Sequence, residues 1–356
     1  MIDGKLNRRS LMQKAALGIA APVWLPFSGD GTEAFLRQVQ YRGVNLSGAE
    51  FKSGAIPGRY GTDYRYPARS EFAYFARFGF NCIRLPFRWE RLQPTLFEAF
   101  DQAEFTRLKA CVDIATDLGL YIIISPHNYA RYRRQIIGTE ETPTAAFLAF
   151  WQRLSEPFKS QSSVGFGMMN EPHGIAAQSW AQIAQKTVMA IRETGAQNKI
   201  FVPGTAWTGV HSWFRKFGDQ SNAEALAGLT DPLGRSVIEV HQYLDRNFSG
   251  TQPNCPRLKV GETVLRRFAE WLRTHRLRGF LGEFGAAANP DCRAALSHVF
   301  QQIQTDSDVW DGWTLWGGGA RWNEDYHMAL GPRRNGDIAP ALQMVLAMDP
   351  VVVRPE

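Results

Sequence analysis

The sequence is short of the features that announce several protein classes. It holds only four cysteines in 356 residues. None pairs with a second cysteine or a histidine at zinc-ligand spacing, which argues against a structural metal module. Dense basic runs are lacking too. Arg131, Arg133 and Arg134, and the pair Arg333 and Arg334, are short clusters, and the formal charge is a modest +6; neither fits a nucleic-acid-binding surface. Gly317-Gly318-Gly319 continues into Ala320-Arg321-Trp322, without the Lys-Ser/Thr of a phosphate loop. No apolar run reaches the roughly 20 residues that span a bilayer. The nearest, Ala15 to Phe27, follows Lys5, Arg8 and Arg9 and reads as the core of an export signal. Arg8-Arg9 followed by Ser10, Leu11 and Met12 is similar to a twin-arginine signal. Residues 1–31 are therefore set apart as a signal with no defined cleavage point, and 32–356 as one domain without linker, repeat or accessory module.

What is present is an alternation. Short apolar runs at 41–46, 81–85, 121–125, 164–169, 199–202, 236–241, 279–282 and 312–316 lack strict polar alternation, as strands covered on both faces do. Between them lie helical patterns at 69–78, 101–118, 176–194, 263–275, 292–305 and 338–347. In the clearest, Phe105, Leu108, Val112 and Ala115 share a face. Asp101 is placed to cap it, Glu104 sits at the capping-box offset and Gly119 follows its end. The stretch 208–230 has no clear pattern. Eight strand–helix units in a chain of this length predict a closed (β/α)8 barrel. A hydrophobic content of 44% is ample for its core.

Such barrels carry their chemistry at the C-terminal ends of the strands. Polar and aromatic residues gather there: Asn45, Arg84, His127 and Asn128, Asn170 and Glu171, Trp207, His241 and Tyr243, Glu283, and Trp316. Glu171 and Glu283 end the fourth and seventh strands, on opposite sides of an eight-stranded ring. A carboxyl pair of this kind serves glycoside hydrolysis, one group donating a proton and the other attacking the sugar or activating water. No His/Asp cluster of the sort a metal-dependent hydrolase needs is evident. Cys82 and Cys111 lie in apolar segments and read as buried thiols. Cys255 and Cys292 lie in loops rich in Pro and Asn, and export permits a disulfide between them.

The motifs Arg42-Gly43-Val44-Asn45, Pro126-His127-Asn128-Tyr129, Gly167-Met168-Met169-Asn170-Glu171-Pro172, Val240-His241-Gln242-Tyr243-Leu244-Asp245 and Gly282-Glu283-Phe284-Gly285 occur in order at barrel spacing. In these the chain resembles the endoglucanases of glycoside hydrolase family 5. The resemblance implies an endo-β-1,4-glucanase that retains anomeric configuration and uses no cofactor. It makes Glu171 the acid/base and Glu283 the nucleophile. Arg84 keeps Glu283 ionised and Tyr243 hydrogen-bonds it. Asn170 binds the sugar 2-hydroxyl, His127, Asn128 and His241 bind substrate or hold the glutamates, and Trp316 stacks under the sugar. Trp207 and Trp213 are either subsite platforms or loop packing. Glu50, Glu239 and Glu324 are read as structural or peripheral. The expected partner is a β-glucan, for an exported monomer in the periplasm or outside the cell. Mannan, xyloglucan or mixed-linkage glucan are alternative substrates, and a non-catalytic glycan-binding barrel is the alternative of a different class. One departure stands out: Ser125 occupies a position where many relatives carry Asp, which removes a charge beside the third-strand motif.

Overall fold

The computed structural model describes residues 39–348; the export signal and its boundary at residue 31 lie outside them. Eight parallel strands close into a barrel: β1 (Tyr41–Leu46), β2 (Cys82–Phe87), β3 (Tyr121–Pro126), β4 (Val164–Gly167), β5 (Ile200–Pro203), β6 (Ser236–His241), β7 (Gly279–Phe284) and β8 (Trp310–Gly318). Each pairs with its sequence neighbours, and β8 returns to β1. All eight coincide with the expected runs to within a few residues at either end. The helices Arg69–Ala76, Gln102–Asp117, Ala177–Glu193, Val260–His275, Pro290–Thr305 and Pro340–Leu346 match the six expected helical patterns.

Two local expectations need correction. A further helix, Thr144–Ser155, lies between β3 and β4, where no helical pattern was assigned. Its buried Phe147, Phe150, Trp151 and Leu154 do follow helical spacing. Asp101 caps its helix as expected, accepting a hydrogen bond from the Glu104 N–H at 2.9 Å. The Glu104 carboxylate does not close a capping box, however. It accepts from the Tyr64 hydroxyl at 2.6 Å and pairs with Arg107.

Period-two alternation along the strands sorts side chains into an outer and an inner core. On β3, Ile122 and Ile124 face the helices, while Ile123 joins Tyr41, Cys82, Tyr121, Phe201, Val237 and Phe280 in a plug that fills the barrel's lower interior. Continuing the inward face toward the C-terminal rim gives the site. On β2, Cys82 is followed by Arg84; on β6, Val237 is followed by Glu239 and His241. The apolar plug therefore gives way to a buried charged layer one pleat higher.

Strand β7 breaks this alternation. Phe280 faces inward, so Glu283 would face the helices. Instead β7 carries one extra residue: Leu281 pairs with Trp313, but Phe284 pairs with Leu315. The same irregularity appears against β6, where His241 pairs with Glu283. This bulge turns Glu283 into the barrel mouth and Phe284 out against Phe300 and Trp313. Gly282 allows it, because a Cβ there would come within 2.4 Å of Glu239 Oε1.

Candidate active site

Arg84 is fully buried and stands at the centre of the charged layer. Its Nη1 donates to Glu283 Oε1 and Asn45 Oδ1, both at 2.8 Å. Its Nη2 donates to Asn170 Oδ1 at 2.8 Å, and its Nε lies 2.9 Å from Glu239 Oε1. Asn45 is fixed in turn by donating to the Gly282 carbonyl at 2.8 Å. Burial would weaken the guanidinium's charge, but Glu239 and Glu283 more than offset this and hold its pKa above the ordinary value.

His241 is the second cation. Its Nδ1 lies 2.8 Å from Glu171 Oε1 and 3.6 Å from Glu283 Oε2, and its Nε2 lies 3.3 Å from Glu239 Oε1. Burial opposes its charge, but the surrounding carboxylates, led by Glu283, push its pKa up to about 9. It is therefore an imidazolium below that pH, donating from both nitrogens. Glu239 would be raised by burial, yet Arg84 and His241 hold it below the usual carboxylate range. Burial raises Glu283 above that range; His241, Arg84 and the Tyr243 hydroxyl, which donates at 2.9 Å, offset only part of this.

The group thus contains two cations and three carboxyls. The most open of the three is Glu171, whose side chain is 17% exposed against 4% for Glu283 and 1% for Glu239. Glu171 sits at φ 43°, a left-handed conformation costly for a residue with a side chain. The surroundings hold it there: Tyr129 N–H donates to the Asn170 carbonyl and Trp207 N–H to the Pro172 carbonyl, both at 3.0 Å.

Glu171, His241 and Glu283 each place one potential ligand atom within 4.8 Å of the others. A metal would need a neutral imidazole nitrogen. In the structure both His241 nitrogens are engaged by carboxylates, Nδ1 at 2.8 Å from Glu171 Oε1 and Nε2 at 3.3 Å from Glu239 Oε1. An oxygen of Glu171 thus lies within 4.8 Å of one of Glu283, close enough for two carboxyls to act on one glycosidic bond.

These groups open into a cleft of about 410 Å³ lined by His127, Tyr129, Glu171, Tyr243, Glu283 and Trp316, among others. His127 accepts at Nε2 from the Asn170 amide at 3.1 Å. Burial first, and then Arg84, lower its pKa well below the usual value, so it is neutral with a proton on Nδ1. That Nδ1 has no partner within the protein. Trp316 is partly exposed and stacks on His127 at 5.7 Å and 26°. Trp207 is 54% exposed and stacks on His173 at 4.6 Å and 15°. Ser125 is buried inside the barrel, with its Cβ 2.9 Å from where a Gly167 Cβ would stand.

Not every expected site residue reaches the cleft. Asn128 is buried, and its amide is consumed by the Trp89 N–H at 2.9 Å and by Glu90 Oε2 at 2.7 Å. It braces the loop after β2 instead of facing substrate. Trp213 is fully buried between Phe268 and Trp271 and is core. Glu239, expected to be structural or peripheral, lies at the heart of the network, paired with Arg84 and His241. Its position two residues before His241 on one strand put both on the same face, a signal present in the sequence. His173, Tyr326 and His327 come from loops with no periodic pattern to reveal them.

Comparison with known proteins supplies the context. The family description "Cellulase (glycosyl hydrolase family 5)" matches residues 38–319. Endoglucanase gh5-1 of Neurospora crassa is 38% identical over 292 residues, 82% of this chain and 72% of that protein. Endo-beta-1,4-glucanase B of Aspergillus niger is 34% identical over 324 residues, covering 91% and 93%. Among solved structures, XacCel5A in complex with cellopentaose superposes with a TM-score of 0.85 at 47% identity, covering 87% of this chain and 99% of that one. The endo-beta-1,4-glucanase Xac0029 of Xanthomonas axonopodis pv. citri gives 0.85 at 44% identity, covering 87% and 98%.

Proposed function

The chain belongs to the cellulase family, glycosyl hydrolase family 5, and from that premise we propose that it is a retaining endo-β-1,4-glucanase. The observation that carries the mechanism is the network of Arg84, His241, Glu239, Glu283 and Glu171, with Glu171 and Glu283 offering oxygens within 4.8 Å of each other. Glu283, with Arg84 and Tyr243 as donors, is the anion and the nucleophile. Glu171, more open and facing the cleft, is the acid. As Glu283 bonds to the anomeric carbon, the leaving oxygen takes the Glu171 proton. Glu171, now a carboxylate, then draws a proton from water, which attacks the same carbon and releases Glu283.

His241 and Glu239 hold this pair; they do not touch sugar. The Asn170 amide keeps one hydrogen beyond that given to His127, suited to a sugar hydroxyl, and the His127 Nδ1–H offers a second donor. Trp316, in the cleft wall, and the exposed Trp207 give flat apolar faces suited to pyranose rings. The endo-glucanase names of the relatives, and the cellopentaose bound by a 47% identical structure, support the substrate assignment. The Cys255–Cys292 disulfide supports export to an oxidising compartment. Among the described residues no helix is long and apolar enough to cross a membrane.

The test is a product profile on carboxymethylcellulose, glucomannan, xyloglucan and lichenan, with proton NMR of the first-formed ends. We expect fastest cleavage of a β-1,4-glucan and new ends that are initially β. Initial α ends would reject the retaining mechanism, and faster turnover of mannan or xyloglucan would reject the substrate.

A further inference from the structure

The hydroxyl that donates to Glu283 Oε2 at 2.9 Å belongs to Tyr243, which lies just past the end of β6 and is seated on the loop that follows it. Gly250, at φ 70°, comes so close to the Tyr243 ring that a Cβ would stand 2.7 Å from both Cδ1 and Cε1. The left-handed backbone and the close approach both call for glycine. Because the contact is with the ring, Gly250 bears on where the ring lies and so on where its hydroxyl points. Burial first, and then Glu283, raise the Tyr243 pKa well above the usual phenol value, so the hydroxyl keeps its proton and stays a donor.

Gly250 is fixed in turn by a buried carboxylate that no catalytic role uses. Asp245 is 3% exposed. Its Oδ1 accepts from the Gly250 N–H at 3.1 Å. Its Oδ2 accepts from the Ser249 hydroxyl at 3.0 Å, the Thr251 N–H at 3.2 Å and the Gln252 N–H at 3.3 Å. A carboxylate is costly to bury without such donors, so the segment 249–252 is held folded around it. From the loop after β8, His327 adds a hydrogen bond to the Gly250 backbone. Gly250 is thus gripped from two loops on the side away from the Tyr243 ring.

We propose that Asp245 is a positioning residue for the nucleophile: by folding the segment 249–252 it seats Gly250 against the Tyr243 ring, and this seat aims the Tyr243 hydroxyl at Glu283. The inference rests on the reading of Glu283 as the nucleophile of a glucanase and adds to it a residue that acts at one remove. Glu283 is faced by Arg84 from β2, Glu171 from the end of β4, and His241 and Tyr243 from β6 and its loop. Glu50, from the loop after β1, and Tyr129 and Tyr326 stand in the same field. Of these, Tyr243 is the one seated on Gly250. With its hydrogen bond weakened the Glu283 anion is less stabilised, so the carboxyl holds its proton to higher pH.

The experiment measures kcat/KM on cellopentaose against pH, and Tm on the same preparations, for wild type, Asp245→Ala, Asp245→Asn, Tyr243→Phe and the double variant Asp245→Ala, Tyr243→Phe. Asp245→Ala is expected to lower kcat/KM about tenfold, the scale of one hydrogen bond to a charged group. The acid limb of its profile should move up by about half to one pH unit. Asp245→Asn, which keeps an acceptor for the Gly250 N–H, should recover part of both effects. In the double variant, Asp245→Ala should add less than about twofold to the loss already caused by Tyr243→Phe, since both act through one bond. If Asp245→Ala does not fold, Gly250→Ala, whose Cβ displaces the Tyr243 ring, takes its place in the same cycle with the same expectation. An acid limb that stays in place in the folded variant, or losses that multiply in the double variant, overturns the inference and leaves Asp245 a structural residue. Should Tyr243→Phe itself leave the acid limb unmoved, both this inference and the role read for Tyr243 fail. A wild type inactive on every β-1,4-glucan overturns the function beneath them.

Discussion

The roles proposed for the two glutamates rest on how their surroundings differ. Glu283 is held by Arg84 and Tyr243 and is 4% exposed; Glu171 has His241 and an opening to the cleft. Replacing Glu283 with Ala removes the proposed nucleophile, so turnover of carboxymethylcellulose should fall by at least 10³-fold, on the order of 4 kcal/mol. Retention of a tenth of the wild-type rate would refute the nucleophile. Glu171→Ala should lose most activity on glucan but keep more on an aryl glycoside whose leaving group needs little protonation. Added azide should then raise the rate and yield a β-glycosyl azide; equal losses on both substrates, without an azide effect, contradict the acid/base role. Trp316 has no group that titrates near neutrality. Trp316→Ala should lower kcat/KM about 30- to 150-fold, about 2–3 kcal/mol, while leaving the pH optimum within a few tenths of a unit. A sharp fall in Tm with near-normal kcat/KM would instead make it core.

At the scale of elements, the site depends on irregularities in otherwise regular strands. The extra residue in β7 brings Glu283 inward, and the left-handed turn at Glu171 lifts its side chain from the end of β4. The loop after β6 is tied to the helix Pro290–Thr305 by Cys255–Cys292, closing a separation of 37 residues. The chain-entropy argument gives about 4 kcal/mol for such a closure, with about 2–4 kcal/mol typical. The double substitution Cys255→Ser, Cys292→Ser should therefore lower unfolding free energy by about 2–4 kcal/mol in urea, and peptide mapping of the exported protein without reductant should find the two linked. Free thiols at both positions, or an unchanged midpoint, would contradict this. Cys82 and Cys111 should stay unmodified until unfolding, since both are buried and burial pushes their thiols up.

Over the whole molecule, the charged layer inside the barrel mouth couples folding to pH. The His241 pKa is raised from 6.5 to about 9 in the fold, so its stabilisation is fully present below about pH 6.5 and is lost as pH rises through about 9. The size of this contribution is at most on the order of 3 kcal/mol. Unfolding free energy measured from pH 6 to 9.5 should fall more steeply for wild type than for His241→Asn; parallel curves would remove His241 from the linkage. Much of this architecture was legible in the sequence. Apolar runs and amphipathic spacing determined the eight strands, most of the helices and hence the closed barrel, because burial on both faces of a strand and one face of a helix is written residue by residue. Strand-end positions likewise picked out Glu171, Glu283, Arg84, His241 and Trp316. Only the tertiary structure decided which polar side chains meet. Asn128 turned to Glu90, Trp213 entered the core, and Glu239 joined Arg84 and His241, because those outcomes depend on partners distant in the chain. The β7 bulge that aims Glu283 is equally invisible to a period-two pattern, since it arises from the register against β6 and β8.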